Sequence, residues 1–171
     1  NAPTMRYRVR VGAGDQTVPA RVSVVSADGH PAFAEGHQSW LDGQNGLIFA
    51  YSSDVLEYEL PAGDYTVTAT RGFEFAPAQA RIEAVGGTIG GIVLGLTSLG
   101  RPSMEDWYSG DHHFHLNYGG QVLLAPDALV PMMRGEDLDV ATPLSANLHT
   151  RRIDEEYFAW ARTEPPLEAL Q

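Results

Sequence analysis

Three residues near position 113 have the type and spacing to hold a metal ion. In the stretch WYSGDHHFHLNYGG, Asp111, His113 and His115 fall at i, i+2 and i+4. On a β-strand that spacing puts their side chains on one face, while His112 and Phe114 point the other way. The two histidines would then lie about 7 Å apart at Cα, close enough for both rings to reach one zinc-sized ion at N–metal distances of about 2.1 Å. Neutral imidazole is the commonest protein ligand for such metals. Gly119 and Gly120 would let the chain leave the strand end sharply. The same residues also fit a strand with exposed imidazoles and no ligand, because a His-x-His pair is short and therefore common.

A strand that presents ligands needs neighbours to hold it. Residues 126–137 predict a helix, with Pro126 at its first position and Leu129, Met132 and Met133 as an apolar stripe. The methionine pair is read as core packing rather than as ligands. Pro131 inside that span would remove a hydrogen bond at a cost of about 3 kcal/mol, which predicts a kink or a late helix start. Residues 138–144 supply a second strand, and strand, helix, strand is a parallel β-α-β unit. Residues 153–162 predict a further helix, with Ile153, Tyr157 and Trp160 on one face and Pro165-Pro166 as its stop. Its acids, Asp154, Glu155 and Glu156, stand in the first turn and Arg162 in the last, as the helix dipole favours.

The part before residue 100 has a different texture. It holds most of the glycines and reads as short strands and tight turns. Residues 5–11 alternate strictly, with Met5, Tyr7, Val9 and Val11 on one face and Arg6, Arg8 and Arg10 on the other. Further runs at 21–26, 46–51, 55–60, 65–70, 80–85 and 88–96 bring the total to about seven strands, which predicts an antiparallel β-sandwich. Ser98, Gly100, Pro102 and Ser103 form a short polar connector. The expected division is therefore a sandwich at 1–100 and an incomplete α/β segment at 101–171.

Composition narrows the chemistry. The 171 residues contain no cysteine, so any metal site must use His, Asp, Glu or Asn. With 11 Lys plus Arg, all of them arginine, against 22 Asp plus Glu, the net charge is −11 and the pI is about 4.8. Such a surface repels phosphate backbones and anionic headgroups, so neither nucleic acid nor membrane is expected as a partner. No stretch has the apolar length of a transmembrane helix, and no signal peptide is read at the front. His30 and His37 fall in expected sandwich loops and receive no role.

Two resemblances follow from particular residues. The order VPARVSVVSADGHP, LEYELPAGDYTVTATRGFEFAP, ARIEAVGGTIGGIVLGL, with residues 60–75 its most telling piece, resembles the carboxypeptidase-regulatory-like or transthyretin-like β-sandwich. Bacteria attach such modules to secreted hydrolases, where they position or stabilise a neighbouring domain. Asp111, one residue, then His113-x-His115 resembles the first barrel strand of the polymerase-and-histidinol-phosphatase (PHP) type metallohydrolases, and more distantly that of the amidohydrolase barrels. The resemblance implies that His113 and His115 bind a catalytic divalent metal, with zinc the expected ion, at the carboxyl end of that strand, with Asp111 as a supporting catalytic residue. The chain departs from the PHP pattern afterwards. Where a Thr-Asp-His motif would follow the second strand it has VATPLSANLHT, with Ser145, Asn147 and His149 nearby.

A complete α/β barrel needs about 250 residues, far more than follow the connector. The expectation is an amino-terminal fragment of an exported, periplasmic or secreted metal-dependent hydrolase, inactive by itself. Its partners would be the remainder of the barrel and a small phosphoester or amide substrate. The competing expectation is a non-catalytic β-sandwich binding or interaction module with an accessory α/β segment.

Overall fold

The computed structural model describes residues 2–100, 106–117, 124–144, 147–148 and 151–152. The expected helix at 153–162, its Pro165-Pro166 stop, Ser145, His149, Gly119, Gly120, Pro102 and Ser103 lie outside the described residues.

Residues 2–100 form a two-sheet β-sandwich. Its strands are β1 (Met5–Ala13), β2 (Gln16–Thr17), β3 (Ala20–Ser26), β4 (Pro31–Ala32), β5 (Ser39–Leu41), β6 (Ile48–Ser52), β7 (Val55–Leu60), β8 (Gly63–Thr70), β9 (Phe75–Ala76), β10 (Ala78–Ala84) and β11 (Ile89–Ser98). One sheet has the order β2-β1-β11-β9, with β7 beside β2 on the same flank of β1, and the other has the order β10-β8-β3-β6-β5, with β4 on β3. The alternation of β1 works as its sequence dictates: Met5, Tyr7, Val9 and Val11 are buried while Arg6, Arg8 and Arg10 are exposed. Leu56, Tyr58 and Leu60 of β7 meet them from the same sheet, and Val22, Val24, Val67 and Ala69 face them from the other. On the outer face the arginine row answers an acidic one, with Arg6 on Glu59 at 3.3 Å, Arg8 on Glu57 at 2.6 Å and Arg10 on Asp54 at 3.2 Å. These pairs are half exposed, so they settle the register of β1 against β7 more than they stabilise the fold.

Two expectations about the sandwich are corrected. There are eleven strands rather than about seven, because β2, β4, β5 and β9 are only two or three residues long, too short to display a period. The sandwich is also not wholly antiparallel. β1 and β11 run parallel, Arg6 opposite Ile89 through Ala13 opposite Leu96, since a sandwich whose first and last strands share a sheet can place them side by side in the same direction.

Beyond the connector, β12 (Gly110–Phe114), a 3-10 turn (Pro126–Ala128), α1 (Leu129–Gly135) and β13 (Val140–Pro143) form one unit. β12 and β13 pair in parallel, Gly110 with Val140 and Asp111 with Ala141, as the strand-helix-strand order predicts. The helix starts late. Pro126 opens the 3-10 turn, and Pro131 falls in the first turn of α1, where backbone N–H groups have no intrahelical acceptor to lose. Leu129 and Met133 are buried as the apolar stripe requires. Among the described residues the sheet of this unit has two strands, and β14 (Asn147–Leu148) and β15 (Arg151–Arg152) form a separate antiparallel pair. The start of a metallohydrolase barrel expected from the sequence is thus not established by the described residues, which hold one β-α-β unit.

Candidate functional site

The site begins with how the β-α-β unit is seated. α1 lies against β3 and β6, on the outer face of the second sheet. Gly135 ends the helix directly over Tyr51, and a Cβ there would overlap the phenol ring. The next residue, Glu136, gathers three donors. The Tyr51 hydroxyl donates to its Oε1 at 2.7 Å, Arg21 Nε donates at 2.8 Å, and Arg21 Nη2 closes the ion pair. Arg21 also reaches Asp42 Oδ2 at 3.0 Å and lies over the Phe49 ring at 4.2 Å. Burial, followed by the hydrogen bond to Glu136, pushes the Tyr51 phenol far above its ordinary value.

A second arginine completes the attachment. Arg71 donates to the Pro19 carbonyl at 2.7 Å, to the Arg134 carbonyl in the last turn of α1, and to Asp137 Oδ1. Arg71 and Asp137 are 12% and 11% exposed. Asp137 stands in the left-handed region, φ 56°, just past the helix end, and Leu138 N–H bonds back to the Met133 carbonyl at 2.9 Å. This is a Schellman-type stop in which glycine would be the relaxed choice. Asp tolerates that conformation better than most residues, and here its carboxylate meets the guanidinium.

From this seat the strand pair is set in register. Ser109 N–H donates to Asp139 Oδ2 at 2.9 Å, and the Asp139 and Val140 N–H groups both donate to the Ser109 carbonyl at 3.0 Å. At the other end, Leu144 N–H donates to the Phe114 carbonyl at 2.9 Å. Asn117 is buried and clasps Leu124, its Nδ2 donating to the carbonyl at 3.0 Å and its Oδ1 accepting the N–H at 2.7 Å.

The histidines sit at the carboxyl end of β12. The expected even alternation of Asp111, His113 and His115 is not kept, because the ladder is irregular between Asp111 and Phe114 and the strand ends before His115. Asp111 turns its Oδ1 to accept the His113 backbone N–H at 2.9 Å. His113 is exposed and His115 half-buried. The two rings nevertheless come close, edge to face, with centroids 5.5 Å apart and planes at 73°. Two imidazoles on one tetrahedral zinc, each N about 2.1 Å from it, would have centroids about 5 Å apart. The separation of the pair is close to that spacing. Among the described residues, no group of three or more His, Cys, Asp or Glu side chains comes together to hold a metal.

The sequence thus brings together His113 and His115 and places Asp111 on the strand backbone beside them. Asn147 is in β14, and His30 and His37 fall in sandwich turns. Sequence reasoning missed Asn117, although an Asn ahead of Tyr-Gly-Gly is a turn signal. It also missed Arg21, Arg71, Glu136 and Asp137, which carry no local pattern because their partners lie far along the chain.

No family model matches this sequence, and no curated protein matches it. Among solved structures, the minor pilin GBS52 of the gram-positive pathogen Streptococcus agalactiae aligns over 59% of this chain and 47% of its own, at 12% identity and TM-score 0.43. A DUF3823 family protein of Parabacteroides merdae aligns over 57% of this chain and 48% of its own, at 13% identity and TM-score 0.37. The pilus-presented adhesin Spy0125 aligns over 57% of this chain and 27% of its own, at 8% identity and TM-score 0.33. The match spans less than half of each of these chains.

Proposed function

We propose that the sandwich is a non-catalytic module that positions the β-α-β unit docked on it, and that this unit contributes the first ligands of a metal-dependent hydrolase. The observation that carries the proposal is the close pair His113 and His115, ring centroids 5.5 Å apart, at the carboxyl end of a parallel strand whose seat is fixed by two arginines. His113 and His115 would hold a divalent ion, zinc by preference for imidazole. Such an ion supplies a water of lowered pKa and polarises the scissile group of a phosphoester or amide. Asp111 fixes the backbone from which His113 projects and so acts as a positioning residue. Further ligands and the general base would come from residues other than those described. An exported location, periplasmic or secreted, belongs to the same proposal.

The plainer alternative is a sandwich interaction module with an accessory α/β segment and no metal. It is favoured by the lack of a third ligand beside the pair among the described residues. Calorimetric titration of the purified chain with Zn²⁺ separates the two. One ion per chain, weakened at least tenfold in both His113→Ala and His115→Ala with the sandwich melting unchanged, is the expected result. Absent binding, or binding indifferent to both substitutions, would overturn the metal site and leave the interaction module.

A further inference from the structure

Among the described residues, the first sheet has one long edge that no strand pairs. Arg6 N–H donates to the Thr88 carbonyl, so along β11 the even residues turn their backbone groups toward β1 and the odd ones turn theirs outward. Ile89, Gly91, Val93 and Gly95 therefore present four N–H and four C=O groups at the edge, with no pairing strand among the described residues. The free stretch is bounded by β9, which pairs Thr97 and Ser98, and by the turn at residues 85–88.

The other edges are protected in the usual ways. β10 carries Gln79, Arg81 and Glu83 on its solvent face, β7 has Glu57 and Glu59 and lends its Glu57 carbonyl to Glu35 N–H, and β2 and β5 are very short. β11 has no charge and no proline over ten residues, and Ile89 and Val93 are 74% and 67% exposed.

The order of side chains on this edge decides what fits it. Large and small alternate, Ile89, Gly91, Val93, Gly95, so an antiparallel copy centred on Ile92 puts Ile89 opposite Gly95 and Val93 opposite Gly91. The inner face repeats the match, with Gly90 opposite Leu94. In that register every outward N–H meets an outward C=O of the copy. We propose that β11 is a homodimer interface, in which two copies of the chain join edge to edge about a twofold axis through Ile92 and extend the first sheet across both molecules. The free edge is about 23 Å long and one sheet about 10 Å deep, so roughly 500 Å² in total would be buried, the size of a weak, concentration-dependent contact. A concentration-dependent dimer follows, tightened by salt because each copy carries a charge of −11.

Sedimentation equilibrium of the purified chain from about 1 to about 500 µM, a range chosen for so small an interface, tests the proposal. A monomer–dimer equilibrium is expected. Val93→Lys should weaken it at least tenfold with the melting temperature of the monomer retained. Gly95→Val meets open space in the monomer but collides with Ile89 of the copy, so it should abolish dimers. Adding Ile89→Gly to Gly95→Val exchanges bump and hollow and should restore them. A wild-type chain that stays monomeric, or dimers indifferent to Gly95→Val, or no recovery in the double variant, would overturn the proposal.

Discussion

Replacing Arg71 by Ala should detach the β-α-β unit while sparing the sandwich. The side chain bridges Pro19 in the sandwich to the Arg134 carbonyl and the Asp137 carboxylate at the end of α1. With both ion-pair partners about nine-tenths covered, losing the guanidinium falls in the class of breaking a buried pair, about 3–5 kcal/mol. Residual exposure argues for the lower end. About 3 kcal/mol corresponds to roughly a 100-fold increase in the undocked population. Hydrogen exchange should register this as a protection loss of that size confined to residues 129–139, while amides of β1, β3 and β8 exchange as before. Asp137 offers an internal control. Asp137→Gly relaxes a left-handed backbone, a gain of up to about 1 kcal/mol, yet should still loosen α1 because the ion pair is worth more. Unchanged protection at 129–139 in Arg71→Ala, or an equal loss in β1 and β8, would refute the idea that this arginine fastens one unit to the other.

Gly135→Ala should loosen the same helix by about 1 kcal/mol, as overpacking against Tyr51 at about 1–3 kcal/mol outweighs a helix-propensity gain of about 1 kcal/mol. Hydrogen exchange of α1 checks the sign, which would be opposite for a helix not seated on the ring. Alkaline titration followed by phenolate absorbance should find Tyr51 ionising well above pH 10. Its raised folded value stabilises docking fully below the unfolded value near 10 and loses that contribution as pH rises through the folded one. A Tyr51 that ionised near the ordinary phenol value of about 10 would contradict its burial and its bond to Glu136.

Much of the sandwich is legible where side chains alternate over a full strand. The 5–11 run and the 65–70 run declare their inner faces directly, because burial follows a period of two. The two-residue strands do not, and neither does the parallel pairing of β1 with β11, since the partner of Arg6 is set by tertiary packing with Ile89 far along the chain. Pro131 correctly announces a late helix start, for its missing N–H is harmless only in a first turn. At the site, spacing finds His113 and His115 but not the irregular ladder that ends β12 before His115. The attachment of the unit is invisible in sequence, because Arg21 and Arg71 are isolated cations within or beside β-strands and the acids at the end of α1 that they hold, Glu136 and Asp137, come more than sixty residues later.

The parallel neighbours β1 and β11 also give the sandwich a mechanical character. A pull applied between residue 2 and residue 100 draws the start of β1 and the end of β11 in opposite directions along their shared axis. All the hydrogen bonds of that ladder, from Arg6 opposite Ile89 to Ala13 opposite Leu96, are then loaded together in shear, where a hairpin pulled at its open end would surrender them one at a time. Rupture of the whole ladder at once sets the unfolding barrier under load. Tension on this chain would therefore reach whatever follows residue 100 before the sandwich gives way.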